Sequence, residues 1–252
     1  MSDNDWPPFT KPSDPAGTVP PHTVGIVIPM RNGLRIFKLC LFSVLSLTDR
    51  PFSLVVVDNM SDLPVKKALR DLSVKHGFTV LRYDREFNFA AEVNLGLRHL
   101  FQNRHIQYGL VLNSDAVVEP FWLGNMMEAF RQPEDYGIVG PVSNTAIPEQ
   151  QLPRSHVIEP TNRMVSGFCM MFRREVFEQV GGFDEAFQYG GYEDWDFCER
   201  ARRAGVPMGV NREVHVTHFW KCSRRGPLYD AAMAANRQRF IQKHPHLEPV
   251  VR

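Results

Sequence analysis

The chain has 252 residues, of which 43% are hydrophobic and 23% charged, and its net charge is +1. That balance supplies one sizeable core and excludes disordered or fibrous classes. No apolar run approaches the roughly 18 residues of a membrane helix, and the N-terminus lacks the basic-then-apolar layout of a secretory signal, so a cytoplasmic protein without a transmembrane segment is expected.

Residues 1–22 carry Pro7, Pro8, Pro12, Pro15, Pro20 and Pro21 with little periodicity, and are predicted to form a flexible tail. Thr23-Val-Gly-Ile-Val-Ile28 then reads as a strand ended by Pro29, and Leu34, Phe37, Leu41, Val44 and Leu45 fall at helical spacing over 34–47. A second buried strand, 52–57, closes on the turn and cap formers of Asp58-Asn-Met-Ser-Asp62. A helix over 64–75, a strand over 78–81, a helix over 92–101, a strand over 108–112 and a helix over 121–131 follow. This alternation predicts a parallel, doubly wound sheet for the first half.

After Pro133 the rhythm changes. Strands are predicted at 137–140 and 165–172, separated by a polar, Pro-containing stretch, and a short helix over 174–180 stops at Gly181-Gly182. A loop over 183–191, a helix over 193–204, a strand over 214–219 and a terminal helix over 228–244 complete the chain. Cys40, Cys169, Cys198 and Cys222 are widely spaced with no CxxC pair, so reduced packing thiols are expected rather than a zinc site or disulfides. Residues 200–252 hold eleven Lys or Arg against three acids, a net +8 that suits an anionic ligand or else a solvated helix face.

The apolar run Tyr108-Gly-Leu-Val-Leu112 stops on Asn113-Ser-Asp115, placing a carboxylate at the open carboxyl end of a buried strand, where α/β proteins keep ligands. Asp58 stands likewise after Leu54-Val-Val-Val57. With neither GxGxxG nor a Walker pattern, dinucleotide binding and P-loop hydrolysis are disfavoured. A diphosphate can instead be held through a divalent ion, and Asp115 is the hard oxygen ligand that Mg2+ or Mn2+ prefers. Gly190-Gly-Tyr-Glu-Asp-Trp-Asp196 sets three acids at a helix start, fitting either ordinary capping or a general base aimed into a cleft. Such a base is expected to be weak, because the helix N-terminus favours the ionised form. His215 and His218 point to opposite faces at strand period. His218, nearer the strand's end and Lys221, Arg224 and Arg225, is the stronger candidate for a nitrogen ligand, and those cations suit phosphate.

Seven landmarks then stand in order: Val27-Ile-Pro-Met-Arg-Asn-Gly33, Val55-Val-Val-Asp-Asn-Met-Ser-Asp62, Asn94-Leu-Gly-Leu97, Leu112-Asn-Ser-Asp115, the run from Gly167 to Glu185, Glu193-Asp-Trp-Asp-Phe-Cys-Glu-Arg200 and His218-Phe-Trp-Lys-Cys-Ser223. From about Thr23 to His244 the chain resembles the inverting glycosyltransferases of family 2 with the GT-A fold, closest to their bacterial rhamnosyltransferase-like branch. The resemblance implies an α/β fold with a mostly parallel central sheet flanked by helices. It divides residues 23–226 into a nucleotide-binding half, 23–132, and an acceptor-binding half, 133–226, with residues 227–252 as C-terminal helix and tail. It also implies hexosyl or deoxyhexosyl transfer from a nucleoside-diphosphate sugar to an acceptor hydroxyl on a glycan, lipid-linked or nucleic-acid acceptor.

Asp194 would be the base with Glu193 supporting it, and Asp115 and His218 would hold Mn2+ or Mg2+. Pro29, Arg31, Asn32, Asp58, Asn94, Asn113, Ser114 and Arg224 would bind the donor. Two departures matter: Asn113 occupies the first position of the family's D-x-D motif, and Met30 and Arg31 replace its usual hydroxyl and aromatic residues. A sugar-nucleotide pyrophosphorylase, which ordinarily carries a longer Gly-rich basic loop than Pro29-Met-Arg-Asn-Gly33, and a non-catalytic sugar- or nucleic-acid-binding module on the same fold are the alternatives.

Overall fold

The computed structural model describes residues 23–151, 153–219 and 226–247. The Pro-rich tail, Lys221, Cys222, Arg224 and Arg225 lie outside them. β1 (Val24–Met30), α1 (Leu34–Leu47), β2 (Phe52–Asp58), α2 (Leu63–His76), β3 (Thr79–Arg82), α3 (Phe89–Leu100) and β4 (Tyr108–Leu112) alternate as predicted. Next come β5 (Ala116–Val117), α4 (Trp122–Glu128), β6 (Ile138–Val142), β7 (Ile158–Pro160), β8 (Cys169–Arg173) and α5 (Arg174–Val180). α6 (Glu193–Arg203), β9 (Met208–His215), β10 (Thr217–His218) and α7 (Pro227–Lys243) close the chain.

The main sheet has the order β3-β2-β1-β4-β8-β6-β9-β7. Its first four strands are parallel, and β6 pairs parallel with β9, while β8 and β7 run antiparallel to their neighbours. The sheet is therefore mostly parallel, with antiparallel strands confined to the second half. The continuous apolar strands are buried on both faces because alternate residues feed two cores. Ile26, Ile28, Val56, Leu110 and Leu112 join Phe37, Leu41 and Trp122 on one face. Val27, Val55, Val57 and Val111 join Val93, Leu97, Phe177 and Phe197 on the other. Cys40, Cys169 and Cys198 are buried free thiols, and burial pushes all three up in pKa.

Two predicted strands change shape, both at the sheet edge that matters below. The strand expected over 165–172 begins only at Cys169: the Phe168 carbonyl still accepts from the Asn113 N–H in the β4–β8 register, but the Gly167 N–H turns away to Asp194. The strand expected over 214–219 is instead the tail of β9 plus β10. The β6–β9 register shifts between Pro141 and Val142, and β10 leaves the main sheet to pair antiparallel with β5, His218 opposite Ala116. The short edge strand β7 was not predicted.

The end of α7 and the residues after it dock on α6 through charge: Lys243 and His244 meet Asp196 at 2.7 and 2.8 Å, and His246 meets Glu199. Glu199, 1% exposed, meets Arg202 at 2.8 Å, Arg203 at 2.8 Å and His246 at 2.9 Å. Burial opposes its charged form, but these three hydrogen bonds outweigh burial and pull the carboxyl down to about 2. A depressed pKa stabilises the fold above the unfolded carboxyl's ordinary value and stops doing so as pH falls through the folded one. Glu199→Gln is therefore expected to lower Tm at pH 7 by the equivalent of about 2 kcal/mol, and to flatten the loss of stability between about pH 5 and 2. Thermal unfolding of both proteins across that range checks this.

Candidate active site

Parallel pairing puts the carboxyl ends of β2, β1 and β4 along one edge, and antiparallel β8 brings its amino end to the same place, Cys169 opposite Leu112. The carboxyl ends of β6 and β9 reach that edge too. The sequence-predicted residues on strand tips are thereby gathered without further devices.

At the β1–β2 end, Met30 lies opposite Asp58, and Pro29 is buried within β1. Asp58 is fully buried, with Oδ2 paired to Arg82 and Oδ1 without a hydrogen-bond partner. Asn32, in the left-handed region at φ 54°, knits the two loops together. Its N–H donates to Ser61 Oγ at 2.7 Å, and its Oδ1 accepts from the Asp62 N–H at 2.8 Å. Arg31 beside it is exposed. This end carries two unmet buried acceptors, Asp58 Oδ1 and Asn59 Oδ1.

At the β4 tip, Asp115 is 8% and His218 6% exposed, and His218 Nε2 stands 3.3 Å from Asp115 Oδ1. The β5–β10 pairing enforces this, together with the Phe219 N–H donating to the Asp115 carbonyl at 3.0 Å. His218 is further fixed by its backbone N–H on Asn144 Oδ1 at 2.8 Å and by its ring stacked on Phe168 at 4.9 Å. Nδ1 lies 3.3 Å from the Thr145 carbonyl, and Asn113 Nδ2 lies 3.2 Å from Nε2. Those partners assign the proton to Nδ1 and a lone pair to Nε2. Nε2, which accepts from the Asn113 amide, and a carboxylate oxygen then stand side by side, and a cation shared between them would take the place of that amide N–H. Asp115 and His218 thus fit a divalent ion. Among the described residues no third His, Cys, Asp or Glu joins them, which leaves coordination positions for a diphosphate and water.

Asp194 reaches the same edge from α6. Its Oδ2 accepts from the Gly167 N–H at 2.9 Å and its Oδ1 from the Trp195 N–H at 2.8 Å, with the Ser166 hydroxyl as a further donor. The next residue, Phe168, gives its carbonyl to the Asn113 N–H at 2.8 Å and its ring to His218. Adjacent residues Gly167 and Phe168, about 3.8 Å apart at Cα, therefore join the candidate base to the candidate metal ligands. A Cβ on Gly167 would sit 3.3 Å from Asp194 Cβ, so glycine permits this approach. Burial raises the Asp194 pKa, and the donors only partly offset it. The sequence argument for a weak base rested on the helix N-terminus, whereas burial of the carboxylate acts in the opposite direction. Glu193 is buried at 5% exposure behind it.

Three donor-binding expectations end differently. Asn94 is committed elsewhere: both its N–H groups bond the Phe183 carbonyl at 2.8 Å and Glu185 Oε1 at 2.9 Å, and its Oδ1 accepts from the Phe183 N–H at 3.0 Å. It pins the 183–185 loop to α3 and has no donor left for a nucleotide. Arg224 lies outside the described residues. Asn113 serves as a partner of His218, while Ser114 is half-buried at the tip. Sequence reasoning missed Asn144, Thr145, Ser166, Gly167 and Phe168. Ser143-Asn144-Thr145 follows the apolar strand Ile138–Val142, the same signal that marked Asp58 and Asp115.

Residues 25–181 match the family profile described as glycosyl transferase family 2, and residues 149–220 match one described as N-terminal domain of galactosyltransferase. The O-antigen biosynthesis protein RfbC of Myxococcus xanthus is 27% identical over 229 residues, covering 80% of this chain and 18% of its own. The low-salt glycan biosynthesis hexosyltransferase Agl10 of Haloferax volcanii is 27% identical over 184 residues, covering 65% of this chain and 58% of its own. The chain thus spans less than two thirds of the length of either relative. Among solved structures, GalNAc-T7 with UDP, GalNAc and Mn2+ superposes with a TM-score of 0.69 at 16% identity, over 88% of this chain and 48% of that one. The fold is GT-A.

Proposed function

The chain belongs to glycosyl transferase family 2, and from that premise we propose that it moves a sugar from a nucleoside-diphosphate donor to an acceptor hydroxyl with inversion. The observation that carries this reading is the Gly167-Phe168 bridge, which holds the Asp194 carboxylate beside the Asp115–His218 pair at one sheet edge.

Asp58 Oδ1, buried and unmet, accepts an N–H from the donor's base, and the loops knitted by Asn32 shape the wall of that pocket. Asp115 and His218 would hold a divalent cation, Mn2+ or Mg2+, which would supply positive charge against the diphosphate of the donor. Asp194, fixed by the Gly167 and Trp195 amides, takes the proton of the acceptor hydroxyl as that oxygen attacks the anomeric carbon from the face opposite the leaving group. Its raised pKa suits the task better than an ordinary carboxylate's would.

The relatives' names support a glycan or another sugar-bearing acceptor and hexosyl transfer, and the structural neighbour's Mn2+ supports the cation. The test is thermal stabilisation and turnover with UDP-, dTDP- and GDP-sugars, with and without Mn2+ or Mg2+. Cation-dependent release of a nucleoside diphosphate from one of them is expected. Pyrophosphate released from a nucleoside triphosphate and a sugar phosphate would instead establish a pyrophosphorylase.

A further inference from the structure

We propose that Asn236, on α7, is a positioning residue for Asp194, which makes the C-terminal helix a working part of the active site; this rests on the reading of Asp194 as the base. The segment leading into α6 is unusual in its backbone. Tyr189, Gly190, Gly191 and Tyr192 take φ values of 58°, 80°, 99° and 74° in succession. Glycine tolerates that region, but a tyrosine there is disfavoured and persists only if its surroundings impose it.

The imposing group is the Asn236 amide, 2% exposed. Its Nδ2 donates to the carbonyls of Gln188 at 2.7 Å, Gly191 at 3.1 Å and Gly190 at 3.5 Å, and its Oδ1 accepts from the Gln188 N–H at 3.2 Å. Asn236 and Phe240 are the two buried residues of α7, and Phe240 packs at 5.5 Å on Tyr192 and 5.1 Å on Trp195. The buried side chains of α7 thus press on the residues that flank Asp194. A strained turn held by one buried amide sets where the first turn of α6, and the carboxylate on it, is placed.

Asp194 itself faces the Ser166 hydroxyl and Gly167 N–H from the segment before β8 and the Cys198 thiol along α6, with Glu193 and Asp196 as its acidic neighbours on that helix. Loosening the turn admits water to the carboxylate and relieves the burial that raises its pKa.

The experiment compares Asn236→Ala with Lys243→Met in the full chain. Lys243 holds α7 through Asp184 at 2.8 Å and Asp196 at 2.7 Å, and contributes none of the amide's bonds. For Asn236→Ala, backbone amide exchange over 188–196 is expected to quicken about tenfold or more. kcat should fall by about ten- to a hundredfold with the donor KM unchanged, and the acid limb of the pH profile should move to lower pH. Lys243→Met should lower Tm and leave that limb in place. An unmoved limb in Asn236→Ala, or an equal movement in Lys243→Met, overturns the proposal. A wild-type protein that transfers no sugar from any nucleotide donor sinks the function reading, and this one with it; wild-type transfer with an unaltered Asn236→Ala sinks this one alone.

Discussion

Asp194→Asn is expected to lower kcat by about a hundred- to ten-thousandfold while donor affinity, read by calorimetry, stays within about twofold. The amide keeps the volume of the carboxylate and its oxygen still accepts from one of the Gly167 and Trp195 N–H groups, while its NH2 leaves the other without an acceptor. What disappears with the charge is the capacity to take a proton. The proposed donor pocket, at Asp58 and the loops that Asn32 ties, involves neither oxygen of Asp194. In the wild type the active form is the carboxylate, so kcat/KM must fall as pH drops through the Asp194 pKa. Because burial raises that pKa, the acid limb is expected above the ordinary carboxylate range rather than near 4. Asp194→Asn should show no such limb in its residual rate. Turnover retained near the wild-type level would reject the assignment of the base.

Much of this arrangement was legible in the sequence for one physical reason. Strands buried on both faces must be apolar at every position, so the polar residue that ends such a run announces a strand tip, and parallel pairing aligns the tips. Asp58 and Asp115 were found that way, and Ser143-Asn144-Thr145 carried the same mark unread. The rest depends on contacts between distant segments. His218 was preferred over His215 as the nearer to the strand's end and to the basic residues after it, with both placed on one continuous strand, whereas the structure breaks that strand between them. β10 turns off to pair with β5, while the His215 N–H goes to Glu119 Oε1 at 2.9 Å and burial lowers its pKa. Asn94 read as a nucleotide contact because its motif recurs in the family, yet a buried amide bonds whatever backbone the tertiary fold brings near, here the 183–185 loop. Gly167 and Asn236 were not singled out as site residues for the same cause: each matters through a partner 27 or 45 to 48 residues away in sequence.

Removal of the carboxylate at the β4 tip should have the other large effect, and on a different quantity. Asp115→Ala is expected to abolish the thermal stabilisation that Mn2+ and a nucleoside diphosphate give together, because Asp115 is the sole carboxylate beside His218 Nε2 among the described residues. His218→Ala should weaken cation affinity by about ten- to a hundredfold rather than abolish it, since a neutral nitrogen contributes less to a hard cation than a charged oxygen does. Asn113→Asp sharpens the comparison. It sets a second carboxylate beside Nε2, where an amide N–H now sits at 3.2 Å, and so adds one negative charge against the cation. Tighter Mn2+ binding, by several-fold, is expected, along with an apparent stability that falls when the ion is chelated, as like charges then face one another unscreened. Calorimetric titration of the three variants with Mn2+ orders them as Asn113→Asp above wild type, His218→Ala below it and Asp115→Ala at no measurable binding. Equal affinity in Asp115→Ala and wild type would place the cation elsewhere and remove the physical basis for its role at this edge.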